Sequence, residues 1–287
     1  MSATESGQRP IVLVALDGSA AAATALPLAQ TVAAQLGAEP TVLHVAEAHL
    51  LEQEARQALG FAWHDLPGWS LRYQVGAPEQ VIVRATADSD VALLVLTTRG
   101  HGSGSGHRLG HVAAAAIAHS ACPLLLLRPE AGGEWRQPAP IQRLLLLIDS
   151  TLGTTADLRP AMELVGRLGA WLDVLYIASA AEVPAEPDRI DVPHYIDQPQ
   201  HEWPHWAAEI SEHLSRCGAP RRPDRPIRIF LAYDAVVAAL ERCIAEQQHD
   251  AIVVVRHPRG SLGQMPVLQA VLAQAPRPVL LVGGQPA

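Results

Sequence analysis

The sequence predicts two tandem α/β domains, each an open five-stranded parallel sheet with helices on both faces, and three observations carry that prediction. The first is length: 287 residues are about twice the roughly 100 to 150 of a usual domain. The second is an internal repeat. Shifted by 132 positions, IVLVALDGS (11–19) falls on RLLLLIDST (143–151), and AQLGAEPTVLHVAEA (34–48) falls on GRLGAWLDVLYIASA (166–180), with no gap between. Asp17 then meets Asp149 and Leu36-Gly37-Ala38 meets Leu168-Gly169-Ala170, which a chance overlap of apolar runs would not bring along. Further on, ALLVL (92–96) matches AIVVV (251–255) at a shift of 159, and CPLLLL (122–127) matches RPVLLV (277–282) at 155, so the second half has a longer middle. The third observation is alternation. Short, solidly apolar runs are separated by segments of helical period, the pattern of a parallel sheet covered on both faces.

Taken in order, IVLVAL is strand one and ends in Asp17-Gly18. A helical stretch from about residue 20 to 36 follows and stops at Gly37, a residue suited to a left-handed C-cap. TVLHV is strand two, 47–59 is an amphipathic helix, LRYQV alternates as strand three, and a helix with Pro78 at its start runs to about Ala87. ALLVL is strand four; a Gly-rich loop, a helix from about Gly110 to His119, and the fifth strand PLLLL complete the half. Trp63 and Trp69 are expected to pack the second helix and its loop against the sheet. EAGGEWRQPAP (130–140) reads as a linker, which sets domain one at 1–130, the linker at 131–140 and domain two at 141–287. Residues 180–225 carry seven prolines and little periodicity outside a helical 206–216, and read as an irregular surface crossover rather than a lid.

Composition removes several function classes. All 21 Lys+Arg residues are arginine, so a P-loop ammonium and Schiff-base chemistry are excluded, and a guanidinium cannot stand in for the amine. A net charge of -8 and a pI near 5.9 argue against nucleic acid as a partner, because phosphate binding needs a basic face. Cys122, Cys217 and Cys243 are far apart and form no CxxC pair, which suggests neither a disulfide framework nor a zinc site and fits a reducing compartment. The start MSATESGQRP has no apolar core, and no apolar run approaches about 18 residues, so the expectation is a cytoplasmic chain without a membrane span.

Ligands of open α/β sheets sit beyond the carboxyl ends of the strands. The candidates there are Asp17 and Gly18 after strand one, Val45 and Ala46 at the end of strand two, and TTRGHGSGSGHRLGHV (97–112) after strand four. That loop suits a phosphate: its glycines let backbone N–H groups approach an anion, Ser103 and Ser105 add hydroxyls, Arg99 and Arg108 add charge, and a helix N-terminus follows.

On these residues the chain resembles the universal stress protein family in its tandem form. The resemblance rests on Asp17 to Ser19, LGAEPTVLHV (36–45), VGAPEQVI (75–82), and the run from LLVLTTRG (93–100) through LGHVAAAAIAHSACPLLLLRP (109–129). It implies two Rossmann-like domains of the adenine nucleotide alpha hydrolase-like kind. Nucleotide-binding members of the family carry Gly, two residues, Gly, nine residues, Gly, then Ser or Thr. Here those places hold Thr97, Gly100, Gly110 and His111, so two of four match. A Thr side chain adds bulk where a ribose would lie, and a His donates to phosphate only in a suitable tautomer or when protonated. The site the resemblance implies is Asp17, Val45, Thr97, Arg99, Gly100, Gly110, His111 and Val112, holding ATP or a related adenine nucleotide with magnesium. It implies no catalytic residues. Domain two keeps Asp149, but its loop VVVRHPRGSLGQMPVLQAV (253–271) is shortened, with Met265 and Pro266 where the anion-binding residues would stand, so no nucleotide is expected there. The family pairs through the fifth strand, which implies an intramolecular pseudo-dimer through PLLLLR and PVLLVG, with a homodimer of chains and a protein partner as further expectations. The implied role is a stress-response regulator with at most slow ATP hydrolysis. The alternative, favoured by Thr97 and His111, is a nucleotide-free scaffold or interaction module of the same fold.

Other motifs carry less. HEWPH (201–205) matches a zinc-protease pattern, yet Pro204 sits inside the helix that pattern requires. His205, Glu209 and His213 share a helical face, and His101, His107 and His111 cluster in the loop; both groups read as solvated. GHGSGSG follows strand four rather than strand one and has the wrong spacing for a dinucleotide fingerprint, and no GxSxG elbow is present.

Overall fold

The structure is a computed structural model and describes residues 9–46, 48–49, 51–60, 66–99, 109–129, 139–149, 155–177, 208, 210–220, 226–232, 236–256 and 266–283. The chain divides into two units, 1–140 with 276–281, and 141–275 with 282–287.

In the first unit β1 (Ile11–Leu16), β2 (Glu39–Ala46), β3 (Ser70–Val75), β4 (Val91–Thr97) and β5 (Leu124–Leu127) lie in the order β3-β2-β1-β4-β5, all parallel. A sixth strand, β10 (Val279–Gly283), runs antiparallel to β5 with Leu280 opposite Leu125. The central strands are apolar on both faces because helices cover both: Val12, Leu13 and Val14 are fully buried.

The helical stretch expected over 20–36 is two helices, α1 (Ala20–Ala23) and α2 (Leu26–Leu36). Pro27 explains the break. It has no N–H for the Ala23 carbonyl and its ring would clash there, so it sits in the first turn of a new helix instead. α2 ends at Gly37, whose φ of +61° lets the Ala38 N–H reach back to the Ala33 carbonyl at 2.9 Å. The repeat reproduces this cap: Gly169 has φ +66°, and the Ala170 N–H reaches the Val165 carbonyl at 3.4 Å. The duplicated Leu-Gly-Ala is therefore a duplicated helix stop. α3 (Glu52–Ala58), α4 (Pro78–Ala85) and α5 (His111–His119) complete the first unit, and Trp69 is buried; Trp63 lies outside the described residues.

The second unit comprises β6 (Arg143–Asp149), α6 (Thr155–Leu168), β7 (Trp171–Ile177), a helical segment α7 over 210–216, β8 (Ile229–Ala232), α8 (Val236–Gln247), β9 (Ala251–Arg256) and α9 (Pro266–Gln274). Its parallel strands lie in the order β9-β6-β7-β8. Most of 180–225, including HEWPH, lies outside the described residues.

The two units solve one buried position differently. In the second, Asp173 of β7 accepts Nε and Nη2 hydrogen bonds from Arg228 and sits 2.9 Å from Nε2 of the wholly buried His249. Burial alone would push the Asp173 carboxyl up, but the hydrogen bonds and charges of His249 and Arg228 together outweigh it and hold the group below its ordinary value. Cys243 of α8 feels the same cluster, and burial pushes its thiol up to about 12, so no thiolate nucleophile stands near this acid and imidazole. The Asp–His pair is thus architectural. In the first unit the corresponding residue is Thr41, 1% exposed, whose hydroxyl has no hydrogen-bond partner among the described residues.

Two outcomes follow from this contrast. Asp173→Asn should destabilise the second unit by about 2 kcal/mol in urea titrations at pH 7, less than the ~3–5 of a fully buried pair because water screens a partly exposed guanidinium; Arg228 is 46% exposed. Because the folded carboxyl lies below its unfolded value of 3.8, that contribution is full above this pH and is lost as pH falls below it, so wild type and variant should converge in acid. Thr41→Val removes an unsatisfied buried hydroxyl without changing shape, and should raise stability by about 1 kcal/mol in the same titration.

Candidate functional site

β1 lies between β2 and β4 in the first sheet. The chain leaves β1 toward β2 on one side and β4 toward β5 on the other, so this is the topological switch point, at whose carboxyl edge open α/β sheets place their ligand crevice. Asp17, His44 and Thr97 of the first unit stand at that edge, each held by a hydrogen bond to backbone.

At the end of β1, Asp17 is exposed and its Oδ1 accepts the Ser19 N–H at 2.9 Å. Ser19 in turn caps α1, its hydroxyl oxygen accepting the Ala22 N–H at 3.0 Å. Gly18 between them has φ +81°, and a Cβ on it would lie 2.6 Å from the carbonyl oxygen of Ala58 at the end of α3. No other residue fits this turn without moving backbone.

Beside the turn stands His44, which sequence reasoning passed over. It is 6% exposed and its Nδ1 lies 3.0 Å from the Leu16 carbonyl, the last of β1. Leu16, His44 and Tyr73 are in register across β1, β2 and β3. The Tyr73 ring lies 6.2 Å from His44, and its hydroxyl donates to the Ala48 carbonyl at 2.5 Å. One signal was available: His44 is the single ionisable residue in the apolar run TVLHV. Val45 follows it, half-buried, at the end of β2.

Across the crevice, Thr97 closes β4. It is buried, and its hydroxyl donates to the Arg99 carbonyl at 2.6 Å, which turns it back on its own loop. The Thr98 N–H donates to the Leu127 carbonyl of β5 at 2.7 Å, and the Thr98 carbonyl accepts the Gly110 N–H at 2.9 Å. This last bond closes the loop at its base. A Cβ on Gly110 would meet the Thr98 oxygen at 3.3 Å, a tight contact that glycine relieves. Gly110 is also the N-cap of α5, and among the described residues no side chain caps that helix; His111 and Val112 form its first turn, exposed and half-buried. The pinch therefore delivers the positive end of a nine-residue helix to the carboxyl edge of β4. Gly100, His101, Ser103, Ser105, His107 and Arg108 lie outside the described residues.

The second unit differs at this edge. Thr97 corresponds to Arg256, the last residue of β9, which is 9% exposed. Leu147 of β6 pairs with Val254 of β9, which brings positions 149 and 256 to the same level on adjacent strands. Gly283 packs so closely that a Cβ on it would lie 2.6 Å from that of Arg256. Among the described residues no group of His, Cys, Asp and Glu could hold a metal ion, and no helix is long and apolar enough to cross a membrane.

The universal stress protein family model matches residues 52–128 and 140–283. Among solved structures, a universal stress protein from Archaeoglobus fulgidus DSM 4304 is similar over 98% of this chain and 100% of its own, at 14% identity and a TM-score of 0.64. A putative universal stress protein from Pseudomonas aeruginosa UCBPP-PA14 covers 96% of this chain and 93% of its own, at 13% identity and a TM-score of 0.62. A universal stress protein in complex with cAMP matches 42% of the chain at 23% identity and a TM-score of 0.33. No curated protein matches. With both halves of the chain matched, and with α/β units built on parallel sheets, the protein belongs to the universal stress protein family in its tandem form.

Proposed function

We propose that the first unit holds an adenine nucleotide, ATP or a close relative with its magnesium, as a regulatory ligand in a cytoplasmic stress-response protein. The observation that carries this reading is the Gly110 pinch. The bond from Gly110 to the Thr98 carbonyl brings an uncapped helix N-terminus to the crevice edge, one strand away from the Asp17 carboxylate. The helix end and the loop amides suit the phosphates, with Arg99 for charge. Asp17 suits the hydroxyls of a ribose, and Val45 the apolar face of a base. Gly100, His111 and Val112 belong to the same reading.

Regulation rather than turnover follows from the side chains at hand. Among the described residues, the Thr97 hydroxyl is committed to a backbone carbonyl rather than to a base. Slow hydrolysis at most belongs to this reading. The second unit, with Arg256 at the corresponding strand end, is read as a partner that binds no nucleotide. Pairing through the fifth strand, as in the family, makes the two halves an intramolecular pseudo-dimer in this reading, with boundaries near 130 and 140 and a homodimer of chains beyond it. The scaffold reading draws its own support from Thr97, whose side chain stands where a glycine would leave room for the sugar.

These readings separate in one set of measurements. With millimolar ATP and magnesium, the nucleotide reading expects a rise in melting temperature from about 2–3 kcal/mol of added stability at a hundredfold excess over Kd. It expects that rise to vanish in Gly110→Val and the affinity to improve about tenfold in Thr97→Gly. A chain that copurifies with no nucleotide by mass analysis, and whose Thr97→Gly variant also shows no shift, is a scaffold.

A further inference from the structure

α3 is attached differently from the other helices of the first unit. It has seven residues, too few to be stable alone, and of its surroundings only Ala55 and Leu59 are buried side chains. Its start is held by local bonds: the Leu51 N–H donates to Glu54 at 2.7 Å, and Arg56 pairs with Glu52 in an exposed ion pair. Leu51 itself is 72% exposed. Its other end is not exposed in the same way. The Ala58 carbonyl lies against Gly18 at a distance that admits no Cβ, with the Leu59 Cα 3.8 Å from the same point and Gly60, at φ +69°, beside the Gly18 carbonyl.

Gly18 follows Asp17 directly, so the helix with the fewest anchors rests by its backbone on the turn that carries the site's carboxylate. The two backbones approach closely enough that no side chain fits between them, so a displacement of the 17–19 turn toward α3 is felt at the helix end. We propose that α3 is a conformational reporter of the first unit's site: docked on Gly18 in one state and released in another, with occupancy of the Asp17 turn and docking of α3 biasing each other. The identity of the ligand rests on the nucleotide reading above; the docking equilibrium does not. An occupied turn is held in place and favours docking, and by reciprocity docking favours the ligand. Leu51 and the first turn of α3 then present a different surface in the two states.

Hydrogen exchange of the full-length protein, read by segment, tests this. Amides of 52–60 should exchange about 100-fold faster than those of β1 and β4, because they open locally rather than with the sheet. Gly18→Ala, which drives a Cβ into the Ala58 carbonyl, and Leu59→Ala, which removes the main apolar anchor, should each speed α3 by about a further tenfold while β1 and β4 keep their protection. Saturating ATP with magnesium should slow α3 in the wild type, and Leu59→Ala should weaken ATP in proportion to the docked population it removes. The proposal is overturned if α3 is as protected as β1, if both variants loosen α3 only together with the sheet, or if ATP binds by equilibrium dialysis and leaves α3 exchange unchanged. ATP that fails to bind at all overturns the nucleotide reading and the coupling to it, while docking is decided by the two variants alone.

Discussion

Full burial of the parallel strands on both faces is the constraint from which the rest of this protein follows. Val12, Leu13 and Val14 of β1, Leu93 to Leu96 of β4 and Leu124 to Leu127 of β5 are all essentially inaccessible to water. A strand in that setting cannot project a polar group sideways without losing the hydrogen bonds that water would give. Polar chemistry is confined to the two edges where strands begin and end. At the amino edge it is used for architecture, as in the Asp173, Arg228 and His249 cluster. At the carboxyl edge of the first unit it is used to hold turns in shape: Asp17 on Ser19, His44 on Leu16, Thr97 on Arg99, Gly110 on Thr98.

The duplicated chain shows how far one backbone tolerates different polar answers. The helix stop at Gly37 and Gly169 is retained because both halves need the same positive φ to turn from helix to strand. Where no backbone conformation is at stake, the halves diverge. Thr41 and Asp173 occupy equivalent buried positions, one with an unsatisfied hydroxyl and the other with a saturated carboxylate. Thr97 and Arg256 end equivalent strands, one small and turned back on its loop, the other long and folded over Gly283. Geometry is kept where sterics demand it, and side-chain chemistry drifts elsewhere.

That distinction also explains what could be read from the sequence. Strands, the order of elements and the glycine caps are local or repetitive signals, and each was visible as an apolar run, a period or a duplicated tripeptide. The break between α1 and α2 was visible too, as Pro27, but the apolar periodicity runs through it and masks the missing N–H. What could not be read is what spans distance. Gly18 looks like an ordinary Asp-Gly turn until Ala58, forty positions away, is found against it. Arg228 and His249 reach Asp173 from 55 and 76 residues along the chain. β10 pairs with β5 from the far end of the sequence. His44 was legible as an oddity, but its partner carbonyl lies on another strand.

The absence of lysine gives these edge turns a particular weight. A mobile ammonium can find a phosphate from many backbone positions, so a site built around one tolerates slack in its loops. A site without lysine has to place amide N–H groups and a helix end where the oxygens will be, and these move only with the main chain. The first unit is built in that way: the described turns at its carboxyl edge are tied by hydrogen bonds of 2.6 to 3.0 Å, Gly18 stands where backbone approaches too closely for a side chain, and Gly110 where one would be tight. In such a site the glycines are not spacers. They set the positions of the donors, and the close approach of Gly18 to Ala58 extends that positioning to α3.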